Sequence, residues 1–192
     1  MDAVYTPLMK RGRSESVRVS DASRRYGARM VSLLQRYCGG EFEFWARCKR
    51  AALLWDLVEG TPIETLEKSY TANAFQGVVS YGDVMRIAEA TRFHLCSAHQ
   101  ILSTLLTEHP DFLISLDTVL KRLEFGLPEA ALRLTELPMV LTRGQYIALW
   151  QAGCSTHEEV AQLSDGQLMA CVGPTAAQLL KSPQKRPVHE SV

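Results

Sequence analysis

Residues 84–106 read VMRIAEATRFHLCSAHQILSTLL, twenty-three positions holding neither glycine nor proline. Within them Val84, Ile87, Thr91, Leu95, Ala98, Leu102 and Leu105 step by three or four residues, the repeat of one face of an α-helix. At 3.6 residues per turn this makes a helix of about six turns. Ser80-Tyr81-Gly82-Asp83 forms the turn into it, and His109-Pro110 marks its end, because the residue before a proline leaves the helical region. No stretch elsewhere alternates apolar and polar residues with the β-branched enrichment of a strand. The sequence therefore predicts an all-α protein, a helical bundle built around this long central helix.

Toward the N-terminus, Gly60 ends a helix expected over residues 41–59, in which Phe44, Ala51, Leu54, Trp55 and Val58 fall near one face. Thr61-Pro62-Ile63-Glu64 reads as a capping box with proline at the first helical position, opening a short helix that runs to Tyr70. An earlier helix is expected over residues 21–37, capped by Ser20 or Asp21 and stopped by Gly39-Gly40, and residues 1–20 read as an irregular basic arm. Beyond residue 110, glycine and proline cut the chain into short helices over residues 116–125, 128–137, 143–152, 156–163, 164–172 and 174–180. Thr156-His157-Glu158-Glu159 is a second capping box. The polar tail of residues 182–192, with Pro183 and Pro187, is expected to be disordered. The domain boundaries expected from this pattern enclose a helical bundle over residues 21–115 and a smaller module over residues 116–181.

With 192 residues, 46% of them hydrophobic, the chain has an ordinary globular composition, which excludes collagen-like and fully disordered classes. Its formal neutrality hides a split. Residues 1–50 carry 11 basic against 5 acidic side chains, and residues 51–192 carry 10 against 16. An arm rich in arginine (Arg11, Arg13, Arg18, Arg24, Arg25, Arg29, Arg36) suits either a solvated helix face or contact with phosphate or an acidic partner. The five cysteines are odd in number and never form CxxC, so the expected setting is a reducing, cytoplasmic compartment. Neither a signal-peptide pattern nor an 18-residue apolar run is present, and no membrane association is expected.

Catalytic signatures are missing from the sequence. There is no GxxxxGK[ST] or GxGxxG loop to cradle phosphate. His94 and His99 lie five residues apart, roughly 140° around a helix, so they do not form a zinc-binding pair and no metal ligand set is expected. The cysteines read as small buried hydrophobes, and no converging set of titratable groups marks a complete enzyme.

Three segments, AALLWDLVEGTPIETLEKSY (51–70), SYGDVMRIAEATRFHL (80–95) and LKRLEFGLPEAALRLTELP (120–138) followed by ALWQAGCSTHEEVAQL (148–163), stand in a fixed order. Over about residues 50–172 the chain resembles the C-terminal region of Ski-two-like superfamily II helicases, of the HELQ-type DNA-repair branch. The resemblance implies a ratchet-like helical bundle followed by a helix-hairpin-helix module, together handling the translocated single strand of DNA, or of RNA in other members of the group. It implies that Arg86 and Phe93 face the strand from the long helix, and that the module grips backbone through the phrase Thr142-Arg143-Gly144-Gln145, with Arg143 as its one clear cation. It also implies partners: single-stranded or forked DNA, and helicase motor domains in the same or another chain, where ATP and magnesium would bind, with a nucleoid- or nucleus-associated location. No cofactor is expected on these residues themselves.

Arg86 and Phe93 also belong together on geometry alone. Seven residues return a helix to within about 20° of its starting direction, so the two side chains stand two turns apart on one face. An aromatic ring stacks on any base, and arginine pairs with phosphate or stacks in turn. The competing reading is a protein-interaction or regulatory module, in which the acidic body (Glu64, Glu67, Asp111, Asp117, Glu124, Glu129, Glu136) repels nucleic acid and the long helix packs against a partner or a second copy.

Overall fold

The computed structural model describes residues 27–71, 78–105 and 110–181, apart from the side chains at positions 41, 42 and 45. The basic arm, the first turns of the earliest expected helix and the polar tail lie outside the described residues. The fold is all-α, with no strand among the described residues. Its chain divides into two compact units after Gly126.

The first unit holds α1 (Ala28–Arg36), α2 (Glu41–Val58), α3 (Ile63–Tyr70), α4 (Tyr81–Leu105) and α5 (Pro110–Phe125). Its core gathers Leu53, Leu54, Leu57 and Val58 from α2, Leu66 from α3, Val79, then Val84, Ile87 and Ala88 from α4, and Leu123 from α5. Each fully buried side chain of this kind contributes about 1.5–3 kcal/mol. A smaller cluster of Val31, Phe44 and Cys48, with Leu34 and Cys38 against it, seats α1 on α2. Within α2 the expected apolar face is rotated. Phe44, Leu54 and Val58 are buried with Leu53 and Leu57, while Ala51 and Trp55 face outward, Trp55 with 47% of its surface exposed.

Loop chemistry sets the joints between these helices. Gly60 takes φ 86°, a conformation that side-chain-bearing residues rarely adopt, and so stops α2. The capping box expected at Thr61 does not form, because the first helical hydrogen bond of α3 runs from the Leu66 amide to the Pro62 carbonyl. Pro62 is therefore the cap residue, and Thr61 stands one position too early to serve. At the start of α4, Asp83 Oδ2 accepts from the Ser80 amide (3.0 Å) and hydroxyl (2.8 Å), and the Tyr81 amide donates to Glu67 Oε1 at 2.8 Å. Carboxylates at this end also oppose the positive pole of the helix.

The helix expected over residues 116–125 begins six residues earlier, at Pro110. A proline that ends one helix is also well suited to be the first residue of the next, where its missing N–H leaves nothing unsatisfied. Two polar contacts join α4 to α5: Arg92 Nη1 to Glu124 Oε2 at 3.3 Å and His99 Nε2 to Asp117 Oδ1 at 3.2 Å. Both pairs centre on residue 108, which makes α4 and α5 an antiparallel hairpin. Arg122 in turn caps the C-terminal end of α2, donating to the Val58 carbonyl (3.2 Å) and to Glu59 Oε1 (2.6 Å). These contacts place α5 in the first unit, so the boundary expected between residues 115 and 116 falls within a helix and the division lies after Gly126.

The second unit is built from a 3-10 segment (Glu129–Glu136), α6 (Arg143–Gln151), α7 (His157–Gln162), α8 (Asp165–Val172) and α9 (Pro174–Lys181). Leu127, Ala131, Leu134, Tyr146, Leu149, Val160 and Leu168 are almost wholly enclosed. Tyr146 keeps its hydroxyl satisfied by accepting from the Leu141 amide at 3.1 Å. Three capping boxes start α6, α7 and α8, from Thr142 with Gln145, Thr156 with Glu159, and Ser164 with Gln167. Only the middle one was read from the sequence.

Candidate functional site

In α4, burial is concentrated in the first two turns, at Val84, Ile87 and Ala88. Farther along, the apolar stripe loses cover: Thr91, Leu95, Ala98 and Leu102 are half-buried and Leu105 is exposed. On the opposite side lie Arg86, Glu89, Ala90, Phe93, Ser97 and Gln100, all exposed. Phe93 leaves 69% of its surface open, against the usual tendency of phenylalanine to be buried. The Arg86 side chain is 56% exposed, and its Nη2 lies 3.7 Å from Asp83 Oδ1. Asp83 thus uses one oxygen to start the helix and turns the other toward the guanidinium. Arg86 and Phe93 are separated by seven residues, about 10.5 Å along the axis.

Phe93 has an aromatic neighbour, His94, whose spacing from His99 in the sequence raises only the question of metal binding. The His94 ring lies 5.6 Å from the Phe93 ring, centroid to centroid, at an interplanar angle of 72°. His94 is exposed, whereas His99 turns toward Asp117 on α5. The two histidines therefore diverge as their spacing predicts, and no group of potential metal ligands forms among the described residues. Adjacency to an exposed aromatic was the signal that could have singled out His94.

The phrase expected to grip backbone in the second unit is occupied differently. Gln145 Oε1 accepts from the Thr142 amide (2.9 Å) and hydroxyl (3.1 Å), and its Nε2 donates to the Val172 carbonyl at 2.6 Å. Both ends of the amide are therefore engaged within the fold. Arg143 is half-buried at the first position of α6. In the turn after α6, the amides of Ala152, Gly153 and Cys154 donate to carbonyls of Ala148, Trp150 and Leu149. The next two, from Ser155 and Thr156, donate to Glu159 Oε2. A carboxylate of the chain itself thus fills the place where an anion would meet free amides.

Charge separates the units from the arm. The described part of the first unit carries ten basic and eleven acidic side chains, and that of the second carries three and five. Residues 1–26, outside the described residues, carry six against three.

The thiols are all free. Burial pushes Cys48 up to about 11, with Cys38 adding to the rise, and burial raises Cys154 as well. Neither is a ready nucleophile at neutral pH. No helix among the described residues is long and apolar enough to cross a membrane. No protein-family model matches the chain, and comparison with curated proteins finds no similar sequence.

Proposed function

We propose that this chain is a non-catalytic region that handles single-stranded nucleic acid, DNA by preference, for an ATP-dependent helicase whose motor lies outside these residues. One observation carries the reading: Phe93 stands open on the outward side of α4, on the same face as Arg86 and two turns beyond it. An exposed ring stacks on an unpaired base, and the guanidinium meets the backbone of a neighbouring nucleotide. Base stacking of this kind is worth about 1–3 kcal/mol, or about 5- to 150-fold in affinity. The helix root is well held, by Asp83 at its start and by Val84, Ile87 and Ala88 in the core, so both side chains project from a rigid element.

The expected helix-hairpin-helix grip contributes less on this geometry. Gln145 is engaged internally and Glu159 occupies the Ser155 and Thr156 amides, so backbone contact from the second unit would rest on Arg143. Fluorescence-anisotropy titration of the full chain with a labelled single-stranded oligonucleotide tests the proposal. Binding at low salt that weakens at least fivefold with Phe93→Ala, and further with Arg86→Ala, is expected. No binding at low salt, or binding indifferent to both substitutions, would sink it.

A second reading has its own observation. Ile101, Leu105, Phe112, Ile114 and Val119 are exposed on α4 and α5, and the described residues hold more acidic than basic groups. Both features suit a protein-interaction module, which gains ground if oligonucleotide binding is absent.

A further inference from the structure

The Phe93–His94 pair carries an inference that rests on the nucleic-acid reading and deepens it. The two rings are exposed neighbours whose planes meet at 72°. Two surfaces so nearly perpendicular cannot both lie flat on one base. If the apolar ring takes the base, the imidazole is left to meet a different part of the same nucleotide, and its polar edge suits the sugar–phosphate backbone. The flanks of Phe93 differ in the same sense. His94 is carried to one side of the Arg86–Phe93 line, and Glu89, exposed on the other, repels phosphate. We infer that His94 is the backbone-contacting partner of the base stacked on Phe93, confining the phosphates to its side of α4, away from Glu89.

Protonated imidazole attracts phosphate more strongly than the neutral ring. Affinity therefore rises as pH falls. The surroundings of His94 isolate this effect. Positions one turn away on α4 are Ala90, Thr91, Ser97 and Ala98, none of them ionisable. From α5, Asp117 and Glu124 face α4 and are met by His99 and Arg92. From α2, Asp56 accepts from the Tyr70 hydroxyl and Glu59 from Arg122, while Glu43 and Arg47 pair with each other. The remaining charged groups among the described side chains of α2 are Lys49 and Arg50, both bound within the fold.

The test is anisotropy titration of the full chain with a fluorescein-labelled oligothymidylate, at several salt concentrations, at pH 5.5 and pH 8. One added cation on a single strand steepens the slope of log affinity against log salt by about 0.7. Between 50 and 200 mM salt that is about a 2.6-fold additional loss of affinity. The native chain is expected to bind more tightly at pH 5.5, with the steeper slope. His94→Gln should bind alike at both pH values, and His99→Gln should keep the native pH dependence. Equal pH and salt profiles for the native chain and His94→Gln, with binding still dependent on Phe93, would overturn the assignment of His94 and leave the parent reading intact. An oligothymidylate that fails to bind at either pH would remove both.

Discussion

Replacing Gln145 with alanine decides between two roles for one residue. As a ligand contact its loss would weaken nucleic-acid binding and leave stability alone. The structure instead gives it a hydrogen bond from the Thr142 amide and another to the Val172 carbonyl, linking the start of α6 to the end of α8. Each net hydrogen bond is worth about 0.5–1.5 kcal/mol. Losing both, and with them half of a capping box, should cost about 2 kcal/mol. For a unit of this size that is about 10 °C in unfolding temperature. Gln145→Glu keeps the acceptor toward Thr142 but sets a carboxylate oxygen against the Val172 carbonyl, and so should not restore the stability lost there. The assay is hydrogen exchange by mass spectrometry, which reports the two units separately, alongside urea unfolding followed by circular dichroism. Protection should fall in α6 and α8 and be unchanged in α2 and α4. A change below about 0.5 kcal/mol together with a loss of oligonucleotide affinity would refute the structural role.

Two further substitutions and one titration probe the first unit. Leu57→Ala, at a site with no exposed surface, should cost about 2–5 kcal/mol in urea unfolding, whereas Trp55→Ala, two positions away and facing outward, should cost under about 1 kcal/mol. Equal costs would mean that the face of α2 is assigned wrongly. For Cys48, the folded thiol holds its proton up to about 11 while the unfolded chain releases one in the ordinary thiol range near 8.5. Between those values the unfolded chain binds fewer protons, so stability is intact below about pH 8.5 and falls as pH rises toward 11. Cys48→Ala should flatten that fall, and in the native chain half-buried Cys96 should react with a thiol reagent at pH 8 well before Cys48. Labelling of Cys48 at the unfolded rate would contradict its burial.

Much of the secondary structure was legible because local chemistry decides it. The stop at Gly60, the box at Thr156 and the unbroken run from Val84 all act within a few residues, and α2, α4 and α7 lie where those signals put them. The misreadings share a cause. Pro110 reads only as a terminator in the sequence, because the helix it opens is held by partners distant in sequence, Glu124 with Arg92 and Arg122 with Glu59. Ala51 and Trp55 were assigned inward because periodicity gives the width of an apolar face but not its exact direction. The bond from Gln145 to Val172 is not legible in the sequence, because nothing local reveals that Val172 ends within reach of its amide. Arg86 and Phe93 could be placed on one face from spacing alone, but the openness of Phe93 depends on α2 and α5 packing elsewhere on α4.

The uneven burial of α4 has a mechanical consequence. At 25 residues the helix is about 37 Å long, yet its fully buried side chains all lie in the first two turns, with half-buried Leu95 packed on the same core farther along. Past them it is steadied by α5 through the Arg92–Glu124 and His99–Asp117 rungs. Among the described residues, burial is thus deepest near Arg86 and shallowest toward Leu105. Phe93 sits just beyond the buried root, so a sideways push on its ring acts through a short lever arm. A load on that ring would be borne by the short span between it and the buried root, and little of it would reach the stretch toward Leu105.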